Sequence, residues 1–249
     1  MKPILPAAIL AALLGATGFA IGAAPKSNVA AIDPAARAFA DSVTAKLGAA
    51  STIRLTAKHR LDPRLGVGQK LEQGPLQITV QRPNRFHVFQ PAGEQTREVA
   101  FDGSTVCVMH PGMKHHAIEP LKARSIDEFS DVLDRRFGFR PPVAELLGRD
   151  LGATLFRDAA SARVVGFDRL GWTRCERLQI VQQGMTTDLW VGAKDRLPRK
   201  LVITFSNEPG SPAWEIKFSK WELNAPVDAA LFSKRPAPDS FRVKMLRTP

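Results

Sequence analysis

Residues 76–109 read LQITVQRPNRFHVFQPAGEQTREVAFDGSTVCVM. Leu76, Ile78 and Val80 alternate with Gln77 and Thr79, the period of two that a half-buried strand requires. Pro83-Asn84 turns the chain into a second apolar run, Phe86 to Phe89. Val99-Ala100-Phe101 then leads into Asp102-Gly103, a hairpin signal, and Thr105 to Met109 returns. Strands joined by turns this short pair antiparallel, so the stretch predicts a meander.

The pattern extends both ways. Upstream, Ile53, Leu55 and Ala57 alternate with Thr52, Arg54, Thr56 and Lys58, and downstream His115 to Ile118 closes the meander. A helix is predicted before it, from Asp33 to Leu47, with Asp33 as cap, Pro34 in the first turn and Gly48 as stop. After it, Ser125 and Glu128 stand at capping-box spacing ahead of Ile126, Phe129, Val132, Leu133 and Phe137. Two short helices follow Pro141-Pro142, one over Val143–Leu147 and one opened by Asp150. Strands resume over 162–167, 175–181, 187–191, 201–205 and 214–221, with Gly171, Gly184 and Pro209-Gly210-Ser211-Pro212 between them. The expected fold is mainly β: a curved antiparallel sheet or half-barrel, with a helical insertion covering its concave face.

The N-terminus reads differently. Lys2 is followed by an uncharged Ala-, Leu- and Gly-rich run that ends in small residues at Ala20–Ala24, the form of a cleavable export signal. Residues 1–24 are therefore expected to be removed, leaving a flexible segment over 25–32 and one domain over 33–249 in the periplasm. No cysteine precedes Cys107, so no lipid-attachment cysteine lies near the cut. Losing Lys2 lowers the net charge from +11 to +10, with 34 Lys+Arg against 24 Asp+Glu. Such a surplus favours anionic partners, and in an exported chain these are lipid headgroups or acidic polymers, not nucleic acid. Cys107 and Cys175 each sit in an apolar strand-like run, so they are either one disulfide or two small buried thiols.

Several segments carry a resemblance to a known family. These are RPNRF (82–86), FDGSTV (101–106), SIDEFSDVLDRRFGFRPPVAELL (125–147), LPRKLVITFSNEPGSPAWEIKFSKWELN (197–224) and LFSKRPAP (231–238). The chain resembles an uncharacterised family of predicted periplasmic proteins, domain of unknown function two-thousand-and-ninety-two, from about Asp33 to Phe241. The His115-His116 pair departs from that pattern, which favours aromatic residues there. The family is similar in fold to the periplasmic lipoprotein carriers of the LolA and LolB type. That resemblance implies a half-barrel closed by helices over an apolar cavity for acyl chains, although fold alone does not transfer function.

No catalytic motif emerges. There is no GxSxG elbow, SxxK, phosphate-binding glycine loop or paired-carboxylate motif, and nothing calls for a cofactor or a metal. His110, His115 and His116 lie close in sequence and are the candidates for a hydrolytic site. Adjacent residues of a strand point to opposite faces, so at most one of His115 and His116 can join a cluster. The apolar candidates are Phe86, Val88, Phe101, Ile203, Phe205, Trp214, Ile216 and Phe218 on the sheet, with Phe129, Leu133 and Phe137 as a helical lid. Packed tightly they form a core; packed loosely they line an acyl-chain pocket. Arg199 and Lys200 could meet an anionic headgroup at its rim or be ordinary strand-end charges. Three functions are carried forward: a monomeric carrier of a lipid or acylated protein, an interaction module for envelope proteins, and a hydrolase using the His110–His116 region.

Overall fold

The computed structural model describes residues 31–65, 73–138, 141 and 143–246. The export segment over 1–24, residues 25–30 of the segment read as flexible, and Pro142 lie outside these residues. The described chain starts with a two-residue strand, β1 (Ala31–Ile32), and helix α1 (Pro34–Gly48). Six strands then follow as a meander: β2 (Thr52–Leu61), β3 (Gln73–Gln81), β4 (Arg85–Gln90), β5 (Arg97–Phe101), β6 (Thr105–His110) and β7 (His115–Pro120). Helices α2 (Ile126–Phe137), α3 (Ala144–Leu147) and α4 (Leu151–Leu155) carry the chain across the sheet. A second meander follows: β8 (Ala159–Leu170), β9 (Thr173–Gln182), β10 (Met185–Gly192), β11 (Pro198–Phe205) and β12 (Ala213–Leu223). It is joined to the first where β12 pairs antiparallel with β2, from Trp214 opposite Leu61 to Leu223 opposite Ile53.

Among the described residues, the result is one open sheet of 13 strands, a half-barrel with the helices on its concave side. It is not wholly antiparallel. β1 pairs parallel with β8 at one edge, and a last strand, β13 (Phe241–Arg242), pairs parallel with β7 at the other. Both are two residues long, too short to leave a sequence signature, and both cover backbone groups that an edge would otherwise offer to a second chain.

Local chemistry accounts for the turns and helix starts. Asp102 Oδ1 accepts from the backbone N–H groups of Ser104 (2.9 Å) and Thr105 (2.8 Å), while Gly103 takes the left-handed φ of 101° that the turn needs. Ser125 caps α2 by accepting from the Glu128 N–H at 3.1 Å, and Asp150 caps α4 by accepting from the Ala153 N–H at 2.8 Å. Asp33 makes no side-chain cap. Its backbone N–H donates to Ala162 O at 2.9 Å, continuing the β1–β8 pairing into the start of α1.

Cys107 and Cys175 are both free and buried, so the possible disulfide is not formed. They lie on β6 and β9, with β10, β11, β12, β2, β3, β4 and β5 between those strands in the sheet. Burial pushes the Cys107 thiol up to about 11 and raises that of Cys175. Because the thiolate is the reactive form, neither should react with a thiol reagent in the native protein. Both should react once the chain is unfolded in urea, and rapid native labelling of either would contradict this burial.

The core runs unbroken from the sheet into the helices. Phe129 of α2 stacks on Phe101 with centroids 4.0 Å apart and planes 9° off parallel, and lies 5.6 Å from Phe86. All three have no exposed surface. Removing a ring from such a site costs about 3–5 kcal/mol. Phe129→Ala should therefore lower the urea midpoint steeply, and a variant as stable as the parent would show that α2 does not hold the sheet.

Candidate functional site

Strand alternation turns Ile53, Leu55, Ala57, His59 and Leu61 of β2 to the concave face, and their partners on β12 to the same face. All the apolar candidates read from the sequence join one continuous cluster there. They do not share one environment. Phe86, Phe101, Phe129, Leu133 and Ile216 are completely buried, and Val88, Phe137, Trp214 and Phe218 nearly so. Ile203 and Phe205 on β11 stay half-buried, as does Leu65 just past β2. Register places these accessible residues together: Ile203 is opposite Trp214, Trp214 is opposite Leu61, and Phe205 is opposite the half-buried Met185. The concave face is therefore closed under α2 and accessible at the end where β11 turns into β12.

A polar group lies beside that end. The Trp214 indole N–H donates to Nδ1 of His59 at 3.4 Å, and the Gln90 amide is 2.9 Å from its Nε2. His110 and His115 are paired across β6 and β7 and share a face, while His116 turns to the other side, 2.9 Å from Ser240 Oγ. The strand rule thus separates His116 from the other two. Burial, and next the Arg97 guanidinium, lowers both His59 and His110 to about 4. Among the described residues, no three His, Cys, Asp or Glu side chains are grouped closely enough to hold a metal. His59 was legible in the sequence, because it continues the inward phase of Ile53, Leu55 and Ala57. Its meeting with Gln90 and Trp214 depends on register between distant strands and was not.

Arg199 and Lys200 are both engaged. Arg199 pairs with Asp195, and Lys200 Nζ is 2.8 Å from Glu215 and lies over the Trp190 ring at 5.1 Å. Lys200 alternates with the core residue Leu201, so it faces away from the helices.

The convex face has a cover that the sequence did not disclose. Beyond β12, the chain crosses the outside of the first meander. Phe232 is 1 % exposed there, and Lys234 Nζ donates to Glu98 Oε1 at 2.6 Å. His87 Nε2 meets the same oxygen at 2.7 Å. Burial would raise the Glu98 carboxyl, but the hydrogen bonds from His87 and Lys234 outweigh it and hold the group below its usual range. A cleft of about 730 Å³ lies under this segment, lined by Thr56, Gln77, Thr79, Asp228 and Lys234 among others. Its wall is mixed, with Ile78, Val227 and Leu231 beside charged side chains that form ion pairs, which suits an acyl chain less well than the continuous apolar concave face does.

An open half-barrel roofed by helices defines a class of folds built around one apolar face. Within that class, residues 36–246 match the family DUF2092, described as a predicted periplasmic protein, and the chain belongs to it. It is accordingly a periplasmic protein. None of the curated proteins compared matches the sequence. Among solved structures, an uncharacterized conserved protein from Thermus thermophilus shares the fold, with a TM-score of 0.52 and 14% identity over 84% of this chain and 99% of that one. Mycobacterium tuberculosis lipoprotein LppX is similar with a TM-score of 0.46 and 13% identity, over 79% of this chain and 99% of that one. A LolA superfamily protein from Nitrosomonas europaea gives 0.36 and 12%, over 80% and 97%.

The two histidines set a pH dependence. Between pH 6.5 and about 4 the unfolded chain binds protons that folded His59 and His110 refuse. Stability should therefore fall as pH drops through that window and level off below it. The ceiling is about 3 kcal/mol per ring. Urea midpoints at about pH 7 and pH 5 measure this, and His110→Asn should reduce the difference by about half, the part that His59 does not supply. Equal midpoints for the parent protein would show that the rings are solvated.

Proposed function

We propose that this protein is a non-catalytic periplasmic binding protein that holds an apolar, acylated molecule, a lipid or the acyl chain of a lipoprotein. The ligand would lie at the accessible end of the concave face, on Leu61, Leu65, Ile203, Phe205 and Trp214. The observation that carries this reading is the half-buried state of Leu65, Ile203 and Phe205 beside a fully buried core, since a concave, mostly apolar surface is the usual form of a ligand site. The separation of His116 from His110 and His115, and the low proton affinity of His110, weigh against a hydrolytic role. A second reading, an interaction module for envelope proteins, is favoured by the closed Phe86–Phe101–Phe129 stack, which leaves no room for a chain beneath α2.

Native mass spectrometry of the protein purified from the periplasm tests the choice, together with titration by a fluorescent fatty acid. Co-purifying lipid mass and saturable probe binding are expected. Phe205→Glu should weaken the probe by about tenfold or more, because setting a carboxylate against an acyl chain costs more than the 1.4 kcal/mol that a factor of ten represents. A clean apo mass with no probe binding would overturn the carrier reading in favour of the interaction module.

A further inference from the structure

The hairpin between β8 and β9 ends in Arg169-Leu170-Gly171-Trp172-Thr173-Arg174, a stretch with two arginines and no acid. Trp172 is 98% exposed and Phe167, just behind it, is 53% exposed. Gly171 takes a φ of 60° to make the turn. The tip runs past its neighbour, because β10 ends at Gly192, opposite Cys175. Arg169 and Arg174 are directly opposite each other and both exposed, and the Arg174 guanidinium lies 4.0 Å from the centre of the Phe167 ring. The nearest acid, Asp168, faces elsewhere: it accepts from the Trp190 indole at 2.7 Å and pairs with Arg177.

Trp172 and Phe167 put two exposed aromatic rings on one hairpin, and two facing arginines repel each other unless an anion lies against them. We infer that this hairpin tip docks on an anionic phospholipid surface, with Trp172 at headgroup depth and Arg169 and Arg174 on the phosphates. Three observations favour a membrane over a protein partner. The aromatic–basic pairing is that of membrane-interface anchors. The tip is narrow, whereas a stable protein interface needs about 800 Å² from each partner. The protein belongs to a periplasmic family, and the periplasm is bounded by membranes. The inference is independent of the ligand proposed above, because the tip lies at the end of the sheet opposite Phe205.

The test is co-sedimentation of the periplasm-purified protein with vesicles of phosphatidylcholine alone or mixed with phosphatidylglycerol, alongside Trp172→Ala and Arg169→Ala/Arg174→Ala. Thermal melts confirm that the variants are folded. The parent should sediment with the anionic vesicles only, less so as salt is raised, and with a blue shift of Trp emission that Trp172→Ala abolishes. Each arginine removed should lower partitioning about fivefold, the equivalent of ~1 kcal/mol per basic side chain at an anionic surface. Failure of the parent to sediment with either vesicle, or sedimentation of both variants like the parent, would overturn the inference and leave the hairpin to a protein partner. Because the fatty-acid titration reads Phe205, loss at one end of the molecule is distinguishable from loss at the other.

Discussion

Everything in this molecule depends on the seam between β12 and β2. Each meander is locally made, with neighbouring strands joined by turns, but the seam joins residues from opposite ends of the domain. Its inward side is fitted by size: Phe218 faces Ala57, and Trp214 faces Leu61. Its outward side is less favourable, since Lys217 faces Lys58 and also Lys200 across β11. Glu215 offsets this by accepting Lys200 at 2.8 Å and Lys217 at 3.1 Å. Without the seam, the two halves would be held by the crossing helices and by the short β1–β8 and β13–β7 pairings at the edges.

That crossing also explains why the concave face is uneven. The first meander ends at one edge of the sheet and the second begins at the other, so the link between β7 and β8 has to span the concavity. The span is helical, and its apolar side, Ile126, Phe129, Leu133 and Phe137, lies on the strands it passes. Where α2 passes, the face is packed to completion. Where β11 turns into β12, the apolar surface is left partly open. The same residue types thus serve as core in one place and as accessible surface in another.

How much of this was legible follows from the range of each interaction. Alternation in Ile53–Ala57 and Leu76–Val80, the Asp102-Gly103 turn and the Ser125 cap are local, and each was readable from a few neighbouring residues. The half-barrel and its helical cover follow from the order of those elements. The environments of Phe205 and Phe101 could not be separated by sequence, because both are aromatic residues in a strand and only packing distinguishes them. The pairing of His59 with Gln90 and Trp214, the cover formed by Phe232 and Lys234, and the two-residue edge strands are long-range contacts of short segments, so they leave no periodic trace. Trp172 carries no sign of its exposure beside the turn signal of Gly171, since exposure is a property of the fold and not of the residue.

The position of the seam has a consequence for the order of folding. A chain made from its N-terminus presents β2 early, yet the strand that completes it ends only at Leu223. Until that strand is available, β2 keeps one row of backbone donors and acceptors unmatched, and the first meander keeps its apolar side uncovered along that row. Pairing over so long a separation in sequence is slow, because the loop must close before its contacts form. The last long strand made is thereby the one that locks the first.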